Sequence, residues 1–265
     1  MLVLLPPSEG KAASGAGVPV DLGALSLPGL TAGRRAVLDA LVELCRGDEE
    51  KAAEVLGLSK GLRGEVARNA GLPAAGALPA GEVYTGVLFD NLGLATLDAA
   101  AYARAEGSLL VFSGLWGAVR IGDRIPPYRC SMGVKLPGLG ALGPYWRAAT
   151  GAVLPEVADG LVLDLRSAAY AAAWKPASEV AARTATVRVL HEREVGGVLK
   201  RSVVSHFNKA TKGRLVRDLL TAGAEPAGPG ELVDALAGLG YRVEVSARGA
   251  AGRPWQLDVV VDEIH

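Results

Sequence analysis

Histidine and cysteine are scarce in this chain, at three and two residues among 265. The histidines are scattered and no Cys/His set has the spacing of a zinc site, so no metal is expected. Cys45 falls on a predicted helix and Cys130 in a long central segment; two thiols in a chain of this length make no disulfide framework. Net charge is missing as well. Twenty-eight basic residues balance 28 acidic ones, so bulk attraction to nucleic acid is excluded and any such argument rests on local clustering. Long apolar runs are also absent. The opening MLVLLPPSEGK has a five-residue apolar run and no basic stretch before it, too little for a signal peptide or a membrane span, so the expected place is the cytoplasm, with no membrane partner. Aromatic residues make up only 5%, yet half the residues are apolar, so Ala, Gly, Leu and Val must supply a sizeable core.

The stretch that organises the chain runs from Leu109 to Leu136, LLVFSGLWGAVRIGDRIPPYRCSMGVKL. Leu109 to Phe112 is a short apolar run ended by Ser113 and Gly114, which reads as a fully buried strand. A long segment of Gly, Pro, Arg and aromatic residues follows with little periodicity and reads as a loop. Its large side chains are Trp116, Arg120, Asp123, Arg124, Tyr128, Arg129 and Lys135. Loops at strand C-terminal ends are where open α/β sheets hold ligands, and a long loop in a compact domain is commonly functional. The plain alternative is a rigid surface loop packed by Trp116 and Tyr128.

Leu2 to Leu5 reads as a first buried strand stopped by Pro6 and Pro7, which sets Glu9 and Lys11 at a strand end. Thr31 to Gly47 is a predicted helix, with Thr31 as its cap and Val37, Leu38, Leu41, Val42, Leu44 and Cys45 as its apolar face. Asp48 to Leu56 is a second helix and about Lys60 to Ala70 a third, joined through Leu56-Gly57-Leu58-Ser59. Two short helices around a tight turn resemble a helix-hairpin-helix, in which turn N–H groups hold a phosphate; any αα-hairpin shows the same pattern. Gly81 to Asn91 reads as a short strand or turn carrying Tyr84, and Thr96 to Glu106 as a helix. Leu136 to Gly140 gives a second hairpin-like pattern before a helix at Tyr145 to Leu154.

Gly160 to Leu165 is a further buried strand with Asp164 near its end. Ala185 to His191 and Gly197 to Ser205 read as strands joined through Gly196-Gly197, and a basic helix with Lys212, Arg214 and Arg217 follows. The tail reads as a helix, Glu231 to Leu239, then strands at Tyr241 to Val245 and Gln256 to Val261. The pattern predicts one α/β domain spanning 1–265, on a mixed sheet with flanking helices and a helix-hairpin-helix-like element at about 48–70. Charge is uneven: Arg183 to Arg217 holds nine Lys or Arg against Glu192 and Glu194 alone, so a neutral protein can carry a basic face.

The motifs LLPPSEGK (4–11), GEVYTG (81–86), SGLWGAVR (113–120), PYRCSMGVKL (127–136), Tyr145-Trp146 and HFNKATKG (206–213) carry a resemblance to the YaaA-like peroxide-stress proteins, in their actinobacterial branch, over nearly the whole chain. The resemblance implies an α/β domain, DNA binding through a positively charged cleft with a helix-hairpin-helix element, and a role in limiting iron-linked oxidative damage. It places the helix-hairpin-helix around Leu56 to Arg68 and the basic helix at Lys209, Lys212, Gly213 and Arg217. Where the family tends to carry Arg, this chain has Lys212.

Two functions compete. In a DNA-binding protein without catalysis, Lys60, Arg63, Arg120, Arg129, Lys135, Lys209, Lys212 and Arg217 would contact phosphates. In an enzyme acting on a nucleobase, nucleoside or damaged DNA, the strand-end residues Glu9, Lys11, Tyr84, Ser113, Tyr128 and Asp164, with Arg129 and Lys209, would form a pocket, and Trp116 or Tyr128 would stack a flipped base. If these residues are structural instead, Glu9–Lys11 and Asp164–Arg129 are the expected ion pairs. No cofactor is expected on either reading. The N-terminal motif and the central segment should meet, since both follow strands of one sheet.

Overall fold

Three short strands without a single exposed residue form the middle of the molecule: Leu2–Leu5, Leu109–Ser113 and Val162–Asp164. The computed structural model describes residues 1–195, 198–249 and 252–262, with the backbone alone at Val195, Ser205 and His206. In chain order the strands are β1 (Leu2–Leu5), β2 (Leu78–Pro79), β3 (Leu109–Ser113), β4 (Gly117–Arg120), β5 (Arg124–Ile125), β6 (Lys135–Leu136), β7 (Gly140–Ala141), β8 (Val162–Asp164), β9 (Thr184–Val195), β10 (Val198–Ser202), β11 (Arg242–Ala247) and β12 (Trp255–Val261).

Among the described residues the main sheet has eight strands in the order β11-β12-β9-β8-β1-β3-β4, with β10 beside β9. β3, β1, β8, β9 and β12 run parallel to their neighbours in this row, while β4, β10 and β11 are antiparallel additions. Fully apolar strands suit such a place, because a parallel sheet covered on both faces has no solvated side for alternation to mark. β1 lies between β3 and β8, and the chain crosses from one of its sides to the other. That reversal is where open α/β sheets leave a crevice at the strand C-terminal ends.

The mixed α/β architecture is the expected one, and several details differ. Thr31 is the first helical residue of Thr31–Arg46 and caps nothing; the 3-10 turn Pro28–Leu30 winds straight into the helix, and the Thr31 hydroxyl reaches toward the Leu22 carbonyl. The apolar face of that helix is buried as its spacing requires, with Arg34 buried beside it. The central segment is not a structureless loop. After Ser113 the chain reverses within Gly114–Trp116 and returns as β4. Gly117 sits at φ 71°, and a Cβ there would press on the Trp146 ring, which explains glycine in that tight return. Arg34 holds the same return by donating to the carbonyls of Trp116 (3.1 Å) and Ala118 (2.7 Å), and Trp146 Nε1 donates to the Gly114 carbonyl (2.8 Å).

Gly81–Asn91 is mainly helical rather than strand: Ala80–Val83 and Val87–Leu92 flank Tyr84, which pairs with Lys11 in an isolated bridge. The Leu136–Gly140 pattern is a β-turn linking β6 and β7, with Gly138 and Gly140 at positive φ. Glu49–Leu56 is capped by Asp48, which accepts from the Lys51 amide, and stops at Gly57 with φ 65°. A 3-10 turn, Lys60–Leu62, then leads into Gly64–Ala70. That last helix packs more on Thr31–Arg46 than on Glu49–Leu56, so the two arms of the expected hairpin barely touch each other. β9 and β10 form the expected antiparallel pair, while the Gly196-Gly197 turn lies outside the described residues.

The helix Ser205–Thr221 lies close against Val87–Leu92, and Gly213 is where the two backbones approach. A Cβ at Gly213 would fall inside contact distance of the Leu88 carbonyl oxygen and 3.0 Å from both Asn91 Cβ and Leu92 N. Gly213→Ala must push these backbones apart, and although alanine is the better helix former it should lower stability by about 1–3 kcal/mol, the usual penalty of overpacking. Urea unfolding measures this; a stabilised Gly213→Ala would show that the approach is not needed.

Candidate functional site

The site is built at the C-terminal ends of β1, β3 and β8. After β1, Pro6 and Pro7 end the ladder and Ser8 to Lys11 turns back toward the Tyr84 segment. The Ala12 amide donates to the Val83 carbonyl (2.9 Å), the Thr85 amide to Ser8 Oγ (3.1 Å), and the Ser8 hydroxyl to the Gly10 carbonyl. The N-terminal motif and the central segment do meet. Arg129 Nη2 lies 2.9 Å from Glu9 Oε2, and Arg129 Nη1 donates to the Glu9 carbonyl (3.1 Å). Arg129 is itself located by Asn69, a buried side chain that accepts from the Arg129 amide (2.9 Å) and donates to its carbonyl (2.8 Å). Glu9 therefore pairs with Arg129 and not, as expected, with Lys11.

Lys11 has a different setting. Its half-buried Nζ donates to the Ser8 carbonyl (2.9 Å) and stands 4.6 Å from the centre of the Tyr128 ring and 5.7 Å from that of Tyr84. Loss of hydration lowers its pKa to about 8, against the opposing pull of Glu9; Arg129 adds to the lowering. Behind it runs a buried chain of hydroxyls. Ser113 Oγ accepts from the amides of Leu115 (3.2 Å) and Trp116 (2.9 Å), so its own proton goes to Tyr128 (2.6 Å), and Tyr128 donates to Tyr84 (2.9 Å). Burial pushes Tyr84 up to about 12 and raises Tyr128 well above the ordinary phenol value, so both phenols stay protonated at neutral pH.

At the end of β8, Asp164 is gripped by Arg166 rather than by Arg129. The pair is bidentate, at 2.8 Å and 2.6 Å, and the Arg166 amide adds a third bond (3.1 Å). The Arg166 guanidinium lies 4.2 Å from the centre of the Phe112 ring and donates to the Trp174 carbonyl (2.9 Å). Sequence reasoning missed Arg166; the signal was its position two residues after a strand-end aspartate, the same offset that separates Glu9 from Lys11. Lys212, expected on a phosphate-facing surface, is buried: its Nζ donates to the Leu165 carbonyl (3.2 Å), and burial lowers its pKa.

Of the remaining candidate cations, Arg63 pairs with Glu50, Arg120 donates to the carbonyls of Glu106 and Gly107, and Arg217 to those of Leu92, Gly93 and Thr96. Lys60, Lys135 and Lys209 are exposed. Lys209 overhangs a cleft of about 160 Å³ lined by Pro6 to Gly10 and by Thr85 to Phe89. The two stacking candidates are interior: Trp116 and Tyr128 are 0% and 1% exposed, edge to face at 6.1 Å, so neither presents a free ring face to a base. A larger hollow of about 590 Å³ lies elsewhere, lined by Asp218, Tyr241 and Arg242 among others, away from the strand-end groups. Burial pushes Cys130 up to about 12 and raises Cys45, so both thiols are poor nucleophiles. Among the described residues no group of three or more His, Cys, Asp or Glu could hold a metal, and no helix is long and apolar enough to cross a membrane.

Two outcomes follow from these contacts. Arg166→Met strands the Asp164 carboxylate in the interior and should cost about 3–5 kcal/mol in denaturant unfolding; a cost under 1 kcal/mol would mean that water reaches Asp164 freely. Lys11 has the opposite sign to a stabilising ion pair. Between about 8 and its ordinary 10.5 the unfolded chain binds a proton that the folded chain lacks, so folding stability rises with pH across that window. The stability of the wild type minus that of Lys11→Met should therefore increase from pH 8 to 10.5, and a flat difference would place the ammonium in solvent.

Residues 1–247 match the family model described as peroxide stress protein YaaA. A UPF0246 protein of Streptomyces coelicolor is 73% identical over 266 residues, covering 100% of both chains. A second, from Corynebacterium efficiens, is 42% identical over 264 residues, covering 98% of this chain and 100% of its own. A third, from Shewanella woodyi, is 32% identical over 146 residues, 53% of each chain. A model match of that extent, joined to full-length relatives at these identities, makes the chain a member of the peroxide stress protein YaaA family.

Proposed function

We propose that this protein acts in the peroxide-stress response, in the cytoplasm, by binding DNA, with phosphates held by exposed cations and one nucleotide taken at the strand-end cleft. The observation that carries the reading is Lys209: it is exposed, has no partner among the described residues, and stands over the cleft that Glu9 lines and Arg129 braces. Lys60, beside the Gly57–Ser59 turn, and Lys135 on β6 extend the footprint. Arg63, Arg120, Arg129 and Arg217 contribute only where they exchange a protein partner for a phosphate. Lys212 supports the helix from inside.

A second reading has its own observation. An amine of lowered pKa beside a chain of three hydroxyls has little use in gripping phosphate, and it favours an enzyme acting on a nucleobase, nucleoside or damaged DNA. Glu9, Lys11, Tyr84, Ser113 and Tyr128 would be its working groups. Asp164 would orient Arg166 rather than react.

Salt titration tests the first reading. Affinity for a short duplex, followed by fluorescence anisotropy, should fall linearly on log–log axes as salt rises. Lys209→Ala should flatten the slope by about 0.9, the value for one phosphate contact, whereas Lys212→Ala should lower the melting temperature and leave the slope unchanged. A slope unaffected by Lys209→Ala removes the cleft from the DNA footprint.

A further inference from the structure

We propose that Lys11 is a carbonyl-trapping amine, which condenses with an aldehyde at the mouth of the strand-end cluster to form a Schiff base. The inference deepens the second reading above by naming the class of substrate and the reacting atom. Three features of the cluster carry it. The first is the company Nζ keeps: one backbone carbonyl and two ring faces, while the two carboxylates that bear on it, Glu9 and Glu65, are paired with Arg129 and Arg68. An ammonium with no carboxylate bonded to it, largely desolvated and beside a guanidinium, is held less firmly in the charged form than a surface lysine even with Glu9 and Glu65 pulling the other way, and its pKa of about 8 agrees. The second is rigidity. Lys11 follows two prolines and is fixed by the bridge to Tyr84 and by the Ala12–Val83 bond, so its backbone cannot drift from the reacting position. The third is the neighbourhood. Glu9 is at the same rim, with its side chain 59% exposed, where a carboxylate can pass protons to and from water.

The chemistry balances without a cofactor. The Nζ lone pair attacks the carbonyl carbon, a C–N bond forms as the C=O π pair moves onto oxygen, and one of the two amine protons passes to that oxygen to give a carbinolamine. That hydroxyl takes a further proton from solvent through Glu9 and leaves as water as the C–O bond breaks, the nitrogen pair closes the C=N bond, and the last proton on nitrogen returns to solvent through Glu9. Amine and aldehyde give imine and water. Two sources present this group: a free small aldehyde, or the ring-opened sugar of an abasic site in damaged DNA. Lys209 above the adjacent cleft supplies a phosphate contact that only the second source would use.

The test incubates the intact protein at pH 8 with cyanoborohydride, which reduces an imine to a stable secondary amine, and with either glyceraldehyde or a duplex containing one abasic deoxyribose. Adducts are mapped by peptide mass spectrometry. Lys11 should be labelled about ten-fold more than Lys60 or Lys135, as expected of an amine whose pKa is lowered to about 8 from the ordinary 10.5. Lys11→Arg, which keeps the cation, should lose the adduct. Labelling of the wild type should also reach half its maximum near pH 8, a readout independent of whether the variant folds. Trapping by glyceraldehyde alone assigns the free aldehyde as source, and trapping by the abasic duplex assigns the sugar. Labelling spread over the lysines according to their exposure, or an adduct that survives in Lys11→Arg, overturns the proposal. Anisotropy with an undamaged duplex reads DNA binding separately, so loss of either property leaves the other visible.

Discussion

A strand buried on both faces and hydrogen-bonded on both edges has nowhere to put a polar side chain until it leaves the sheet. β1 and β3 meet that constraint with LVLL and LLVF, and β8 with VLD. Their polar groups are displaced to the ends, and because these strands are parallel the ends coincide in space. Glu9 and Lys11, Ser113, and Asp164 with Arg166 are far apart in the chain and neighbours in the fold for this one reason. The cluster is thus a product of the sheet's polarity, and any sequence meeting the burial rule there gathers its polar residues on the same side.

Once gathered, those residues divide by exposure. Asp164–Arg166 and Ser113–Tyr128–Tyr84 are sealed and satisfied, so they set the shape of the site without meeting solvent. Buried polar networks of this kind are costly when incomplete, and the hydroxyl chain depends on three segments far apart in the sequence, which supply Ser113, Tyr128 and Tyr84. Glu9, Arg129 and Lys209 form the wet rim. Lys11 stands between the two regimes, with its chain anchored inside and its charge poorly solvated. That intermediate setting is what makes its chemistry adjustable.

Much of this was legible before any coordinates. Apolar runs bounded by proline or glycine marked β1, β3 and β8, and their polar followers marked the site. Pairing was not legible. Glu9 sits two residues from Lys11, yet Arg129 takes it, because Asn69 fixes the Arg129 backbone within reach. Trp116 and Tyr128 looked like surface stackers in a loop. β4 was hidden in that loop, because Gly117 gives no periodic signal while permitting the reversal that buries both rings. Lys212 and Arg217 read as a basic face, but helix charges carry no mark of which neighbour lies beneath them; here the carbonyls of Leu165, Leu92 and Gly93 do.

The central place of β1 has a consequence for the order of assembly. Its two partners lie roughly 105 and 160 residues later in the chain, at Leu109–Val111 and Val162–Asp164. During synthesis at about 5–20 residues per second, an apolar strand waits roughly five to twenty seconds with both edges bare and roughly ten to thirty seconds before its second neighbour is made. Non-local parallel pairing of this kind is slow in its own right. The nascent chain is therefore most exposed to mispairing at the strand whose exit later forms the site, and crowding or chaperone supply would act on yield at that stage, before any finished molecule meets peroxide.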